Sequence, residues 1–557
     1  MNPARDSRQT PLGGDFDENV SKTMDYWKIP GIAVAVVDGD TTWKKVDIFP
    51  QTKDSKLTKC KKKGYGIADQ ASSTKVESNT LFYGGSTTKA FTAAIMSMLV
   101  QDNAKYPKVQ WNTPVSELIR EDFVLDDKWT TANMTIEDIL SHRTGMPGHD
   151  LSLGSVHPGN QATVQDVVRS LRFLPSNAPP RTTYQYNNSM YIVASHIIQR
   201  VMDDDLGAVL EREIWRPLKM SSTYFRLADV LEKDKPLAKG YAFTNGKYEE
   251  VPWKNKPEIS GAGAIISSVE DYAKWVHALL NQTGTNLSSE SWKAIWTART
   301  LIPNSEPFLA PMAYALAWNR YVYHGVEIIT HDGGIDGFGA EIVMIPSLKY
   351  GVVTMANSTY SSNFGGTCLA YDLIDSKLDI ATEARFGWKE HYVKVLQQME
   401  EFNKKAVEHF YPNLPSPPLP GPTFPLEAYT GTYWHDAYGQ LALFLDTDKK
   451  LHANRTSPTT ACSLTFEHVI GDYFIATMHV VGAETVIPAE FSPGPEGKPR
   501  SVGIGWEPRL GNNKIWMRKV DDGVEPVLTS LQGAQPLSYQ AYQAPQLPEF
   551  LASQIFM

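Results

Sequence analysis

Residues 82–94 read FYGGSTTKAFTAA. Ser86 and Lys89 stand three positions apart, and on a helix this spacing puts a hydroxyl and an amine one turn apart on the same face. Phe91, Ala94, Ile95, Met98 and Leu99 continue at helical spacing until Gln101-Asp102-Asn103 breaks the run, so a helix is predicted from Ser86 onward. A lysine kept neutral by burial can take the proton of a neighbouring serine and leave an alkoxide able to attack a carbonyl. The pattern recurs at Ser72 to Lys75, but there it lies in the polar run ASSTKVESN with no apolar helix behind it. Ser86 opens the most apolar helix of the chain, where an inward-pointing serine and lysine are costly unless used or mutually satisfied. Taken alone, Ser86 is equally suited to capping that helix.

Upstream, GIAVAVVD at residues 31–38 is an apolar, β-branched run closed by a Gly-Asp turn. It has the pattern of a buried strand, with the GYGIAD run from Gly64 as its partner. The insert between them carries Lys44, Lys45, Lys53, Lys56, Lys59, Lys61, Lys62 and Lys63 and reads as a solvated hairpin extension rather than an anion-binding patch. Downstream the chain runs mostly as helix and loop. Helices are clearest at residues 135–141 and after Asn188, where Met190, Val193, Ala194, Ile197, Ile198 and Val201 share a face. Strands return at residues 327–330, 338–345 and 351–356. Early strands, a helical middle and late strands predict a sheet in which the two ends of this segment pair around an inserted helical subdomain. Beyond Trp388, the positions Tyr392, Val395, Met399, Phe402, Ala406 and Phe410 step by three and four and predict one long amphipathic helix packing across its own domain. A homo-oligomer is compatible with that helix but has no support in the sequence. PNLPSPPLPGPTFP, residues 412–425, is a stiff spacer, and the alternating runs LALFLD and YFIATMHV beyond it predict a small antiparallel all-β domain.

The 557 residues are too many for one compact domain, and 42% apolar with 21% charged residues is the composition of an ordinary globular protein. With 53 basic and 62 acidic side chains the net charge is −9, which argues against a nucleic-acid partner. No apolar run reaches the ~18 residues that span a bilayer, and MNPARDSRQTPLGGDFDENV has no apolar signal core, so no membrane association and a cytoplasmic location are expected. Cys60, Cys368 and Cys462 are too few and scattered for a disulfide framework, and His142, His149 and His157 are spaced unlike zinc ligands, so neither metal nor cofactor is expected. Gly261-Ala262-Gly263 lacks the third glycine of a dinucleotide loop, and Gly84-Gly85-Ser86-Thr87-Thr88 lacks the second glycine of a G-x-S-x-G elbow.

Two further motifs bear chemistry. Tyr186-Asn187-Asn188 sets a phenol and an amide just ahead of a helix, where a phenolate can act as a base beside an ammonium and the amide can hold a substrate carbonyl. Tyr411-Pro412-Asn413 repeats the pattern at the head of the proline spacer, where it reads as structural. His331-Asp332-Gly333-Gly334 closes one strand before Ile335-Asp336-Gly337-Phe338 enters the next, and glycines there let the backbone approach a ligand and offer an N–H to an oxyanion. His157-Pro158-Gly159 matches only in a loop.

The order Ser-x-x-Lys, Tyr-x-Asn, His-x-Gly resembles the serine β-lactamase and penicillin-binding-protein superfamily. Its tyrosine variant points to the branch of class C β-lactamases, D-peptidases and family VIII esterases. ILSHRTGMP from Ile139, IWRPLKMSST from Ile214, GAGAIISSVEDYAKW from Gly261 and YALAWNR from Tyr314 extend the likeness over residues 15–381, and the tail is similar to the lipocalin-like domain some members append. The resemblance implies an α+β fold: a β-lactamase/transpeptidase-like antiparallel sheet flanked by helices, with an inserted helical subdomain and a C-terminal antiparallel β-barrel. The expected boundaries are 15–385 for the catalytic domain, 386–425 for the helix and linker, and 426–557 for the all-β domain.

Position by position, the resemblance implies Ser86 as the acylated nucleophile, Lys89 as its proton partner and Tyr186 as general base. It implies Asn188 as a substrate contact, the N–H groups of Ser86 and Gly334 as the oxyanion hole, and His331, Asp332 and Gly333 as the substrate-binding counterpart of a Lys-Thr-Gly element. Histidine lacks the fixed charge of that lysine, which disfavours substrates with a carboxylate and favours uncharged esters or amides. The expected activity is metal-independent hydrolysis of an ester, lactone or amide in a small-molecule or peptide-like acyl substrate. An acyltransferase using the same acyl-enzyme and a catalytically silent ligand-binding protein of the same fold are the alternatives.

Overall fold

The computed structural model describes residues 10–44, 64–154, 161–303, 311–455, 459 and 461–520. Most of the lysine-rich insert, Cys60 and the His157-Pro158-Gly159 loop lie outside them. Eleven elements of the first unit position the site: helix α1 (Gly14–Trp27), strands β1 (Gly31–Asp38) and β2 (Gly64–Asp69), helices α2 (Thr88–Gln101), α3 (Asn188–Met202) and α4 (Val269–Asn281), strands β3 (Val326–Ile335), β4 (Phe338–Ile345) and β5 (Tyr350–Ala356), and helices α5 (Ser361–Lys377) and α6 (Trp388–Lys404). An antiparallel sheet runs in the order β2-β1-β5-β4-β3 and continues beyond β3 through Asn319–Tyr323, Met312–Tyr314 and Thr300–Ile302. The two chain ends meet at its centre, with Ile32 opposite Ala356 and Asp38 opposite Tyr350, and β1 also pairs with β2, Gly31 facing Gly66.

β1 is apolar along its whole length because both of its faces are covered. Ile32, Val34 and Val36 pack with Phe16, Val20 and Trp27 of α1 and Leu369 of α5, whereas Ala33, Ala35 and Val37 face the core built by α2 and α4. α2 is buried on nearly every side, as a helix apolar all round must be, and its Phe91 stacks on Trp275 of α4 with ring centroids 4.6 Å apart. The α-helix begins at Thr88, so Ser86 sits in the short 3₁₀ turn Gly85–Thr87 just ahead of it, and neither boundary carries a side-chain cap bond. The helical middle is inserted between β2 and β3, as the order of patterns predicts. No helix among the described residues is long and apolar enough to cross a membrane.

The predicted long helix after Trp388 breaks at Lys405, which leaves helical geometry (φ −102°, ψ 15°). The break turns the short helix Ala406–Phe410 onto the tail, where Ala406 packs with Val469, Ile475 and Val486. Eight strands from Gly431–His435 to Ile515–Val520 form a closed barrel, each pairing with its chain neighbour and the last with the first. Its core is aromatic, with Tyr429, Phe474 and Phe491 meeting at ring-centroid distances of 4.7–5.6 Å. Tyr411, at the head of the proline spacer, donates its hydroxyl to the carbonyl of Phe474 at 2.8 Å and so ties the spacer to the barrel.

Candidate active site

The turn that carries Ser86 is pressed against the end of β3. Gly85 adopts φ +52°, and a Cβ there would lie 2.9 Å from the nitrogen of Gly334; one on Gly333 would lie 2.1 Å from the carbonyl oxygen of Gly84 and 2.9 Å from the nitrogen of Ser86. Only glycine permits this approach. It brings the backbone of Ser86 and of Gly334 to one rim of a cavity of about 180 Å³, which both residues line.

Beneath the rim, Lys89 is fully buried and donates from Nζ to Ser86 Oγ at 2.9 Å, to Asn188 Oδ1 at 2.6 Å and to the carbonyl of Ala262 at 2.9 Å. Burial lowers its pKa to about 7, against the opposing pull of Asp150 and Asp332. The lysine thus loses its proton near neutrality while remaining in contact with the serine. Ser72 is exposed and bonds only locally to Thr74 Oγ1 at 2.7 Å.

Tyr186 lies beside the Ser86–Lys89 pair, its ring centroid 4.8 Å from Lys89 Nζ and 4.4 Å from that of His142. Its hydroxyl is buried and makes no hydrogen bond of good geometry. Burial drives the phenol well above its ordinary pKa, with the Ser86 hydroxyl the main opposing influence. At rest it is therefore a phenol.

Asn188 lines the cavity as the first residue of α3, and both ends of its amide are engaged: Oδ1 receives Lys89, and Nδ2 donates to Asp150 Oδ1 at 2.8 Å. Asn187, not Asn188, caps the helix, its Oδ1 accepting from the Met190 N–H at 3.1 Å. His331 is buried beside Tyr186, with ring centroids 6.2 Å apart, and does not line the cavity. Its Nδ1 donates to the Asp332 carbonyl at 2.6 Å and its Nε2 lies 3.0 Å from Tyr314 Oη. Burial and Lys89 lower its pKa to about 3, so the imidazole is neutral and both nitrogens are committed. Gly333 packs against Gly84 and Ser86, whereas Asp332 reaches the cavity wall.

Two carboxyls escaped the sequence reading. Asp150, in the loop after ILSHRTGMP, is buried in the cavity wall, and burial raises its pKa to about 6. Glu341 stands opposite Asp332 across β3 and β4 and accepts from Thr330 Oγ1 at 2.8 Å and Thr367 Oγ1 at 3.0 Å. Burial raises both members of this carboxyl pair. The ILSHRTGMP motif could have flagged the Asp150 loop; nothing in the spacing marks Glu341. The far wall of the cavity belongs to the barrel, through Thr459, Ala461, Val480 and Val481. Among the described residues, no three His, Cys, Asp or Glu side chains are grouped to hold a metal ion.

A family model described as Beta-lactamase matches residues 16–374, and one described as a domain of unknown function (DUF3471) matches residues 416–519. Among similar proteins, "Unguisins hydrolase ungD" of Aspergillus violaceofuscus is 60% identical over 588 residues, covering 100% of both chains. "Unguisins hydrolase ungD'" of Aspergillus campestris is 53% identical over 515 residues, covering 92% of this chain and 93% of the relative. The octameric penicillin-binding protein homologue from Pyrococcus abyssi superposes with a TM-score of 0.56 at 18% identity, over 90% of this chain and 99% of that one, a likeness of fold.

Proposed function

The chain belongs to the beta-lactamase family, and from that premise we propose that this serine hydrolase cuts an ester or amide through a covalent acyl-enzyme on Ser86. The observation that carries the reading is Lys89 Nζ, buried 2.9 Å from Ser86 Oγ in surroundings that bring its pKa to about 7. An uncharged amine is then available at neutral pH to accept the serine proton.

The substrate carbonyl oxygen takes the N–H groups of Ser86 and Gly334 at the cavity rim. Neutral Lys89 accepts the proton as Oγ adds to the carbonyl carbon, and negative charge collects on the oxygen. The leaving alcohol or amine must depart protonated. Tyr186, held as a phenol by burial, donates that proton and regains one from the Lys89 ammonium. Water then adds to the acyl-enzyme with the same groups acting in reverse, releasing the acid and restoring Ser86.

The full-length relatives at 60% and 53% identity, both called unguisins hydrolase, support unguisins as the compounds cut. The neutral, buried His331 supplies no fixed cation for a carboxylate and supports an acyl portion without one; the cavity wall itself carries both signs, Asp150, Asp332 and Asp336 together with Lys254 and Lys256. Incubation of the purified protein with an unguisin should yield products whose masses sum to the unguisin plus one water, and Ser86→Ala should yield none. An untouched unguisin alongside turnover of simple esters would remove that substrate, and turnover by Ser86→Ala would remove the mechanism.

A further inference from the structure

The loop that brings Asp150 to the cavity is gripped on both flanks by the C-terminal barrel. His149, immediately before it, holds a left-handed conformation (φ 49°, ψ 33°), which a non-glycine residue keeps only where its surroundings fix it. Its N–H donates to Glu507 Oε2 at 2.8 Å. Its Nε2 lies 3.0 Å from the Pro175 carbonyl and its Nδ1 2.8 Å from Tyr438 Oη. A carbonyl can only accept, so the Nε2 carries the proton and Tyr438 donates to Nδ1. On the other flank, the Leu151 carbonyl accepts from Arg455 Nη2, and Arg455 Nε also reaches the Tyr438 carbonyl at 3.3 Å. Tyr438, Arg455 and Glu507 are all buried barrel residues.

Between these two grips, Asp150 Oδ1 accepts from Asn188 Nδ2 at 2.8 Å. An asparagine amide can stand either way round, and the choice decides what it offers its neighbours. Facing an acceptor-only carboxylate, Asn188 must present its NH₂ there and its oxygen to Lys89, which it receives at 2.6 Å. An unbroken series of contacts therefore runs from the barrel through the loop, Asp150, Asn188 and Lys89 to Ser86.

We infer that the barrel positions the catalytic lysine: Tyr438, Glu507 and Arg455 fix the residues on either side of Asp150, and Asp150 sets the orientation of the Asn188 amide that receives Lys89. Tyr438, Glu507, Arg455 and Asp150 are positioning residues in this scheme, and the inference rests on the acyl-enzyme reading above. It gives the domain matched at residues 416–519 a task inside the active site.

The test is a double-mutant cycle on the full-length protein, read as the rate of Ser86 labelling by a fluorophosphonate probe. Asp150→Ala and Tyr438→Phe should each slow labelling about tenfold, and the pair should be no slower than the slower single variant within roughly twofold, since both break one series. Asp150→Asn, which keeps an oxygen for Asn188 Nδ2, should restore most of the loss seen with alanine. Should Tyr438→Phe fail to fold, Glu507→Gln takes its place in the cycle. Losses that multiply, or a barrel variant that labels at the wild-type rate, would overturn the positioning role. A wild-type protein whose Ser86 takes no label would instead overturn the acyl-enzyme reading.

Discussion

Burial sets the protonation state of Lys89, and under the proposed mechanism that fixes how the rate depends on pH. Its pKa falls from 10.5 to about 7 because the charged form is desolvated. In the proposed mechanism the neutral form is the proton acceptor, so kcat/KM should fall about tenfold per pH unit below pH 7 and level off above it. The nearby Asp150 charge raises the lysine pKa, so Asp150→Asn should move the acid limb to lower pH; a limb that stays put or moves up would contradict the assignment. Tyr186→Phe removes only the hydroxyl. If that hydroxyl protonates the leaving group, kcat/KM, which reports acylation, should fall about 10²-fold or more for amides and far less for nitrophenyl esters, whose leaving group needs no proton. Equal losses on both substrates would place Tyr186 in an earlier step. Ser86, Lys89 and Tyr186 were legible in the sequence because a three-residue helical spacing and a short motif carry them. Asp150 and Glu341 were not, because what singles them out is burial produced by distant chain segments: the barrel in one case, α5 in the other.

The rim shared by Ser86 and Gly334 depends on how closely the end of β3 can approach the turn before α2, and glycines set that distance. Gly333→Ala would put a Cβ 2.1 Å from the Gly84 carbonyl oxygen, a backbone atom that cannot swing aside. The strand and turn should separate, with activity falling about 10²-fold through loss of one oxyanion donor and stability by about 1–3 kcal/mol through overpacking. Measured kcat and melting temperature for this variant decide the point, and unchanged kcat would dissociate Gly334 from the reaction. Element by element, the apolar runs of β1 and α2 announced themselves because each is covered on both sides. The break at Lys405 did not, since no proline or glycine marks it and the apolar stepping continues across it. What interrupts the helix is the barrel surface that Ala406 turns to meet.

For the whole molecule, the barrel is joined to the chemistry by position as well as by chain. Val480 and Val481 of the barrel line the same cavity as Ser86, where they should pack against an apolar part of the acyl group. Shortening both to alanine removes four carbons; if the equivalent of one is buried against the acyl group, at ~0.8 kcal/mol, kcat/KM for a bulky apolar acyl ester should fall about fourfold relative to its acetyl counterpart. An unchanged ratio would move the acyl group to another wall. The sequence set off the tail as a separate all-β segment behind its proline spacer, but the side chains that tie it to the loop around Asp150 come from strands and turns with no motif of their own. All of this depends on a covalent bond to Ser86. The most direct measurement is mass-spectrometric mapping of the acyl-enzyme trapped with a fluorophosphonate or a slowly hydrolysed nitrophenyl ester. A single adduct on the peptide carrying Ser86, absent from Ser86→Ala, is the result expected, and an adduct on any other residue, or undiminished turnover by Ser86→Ala, would contradict it.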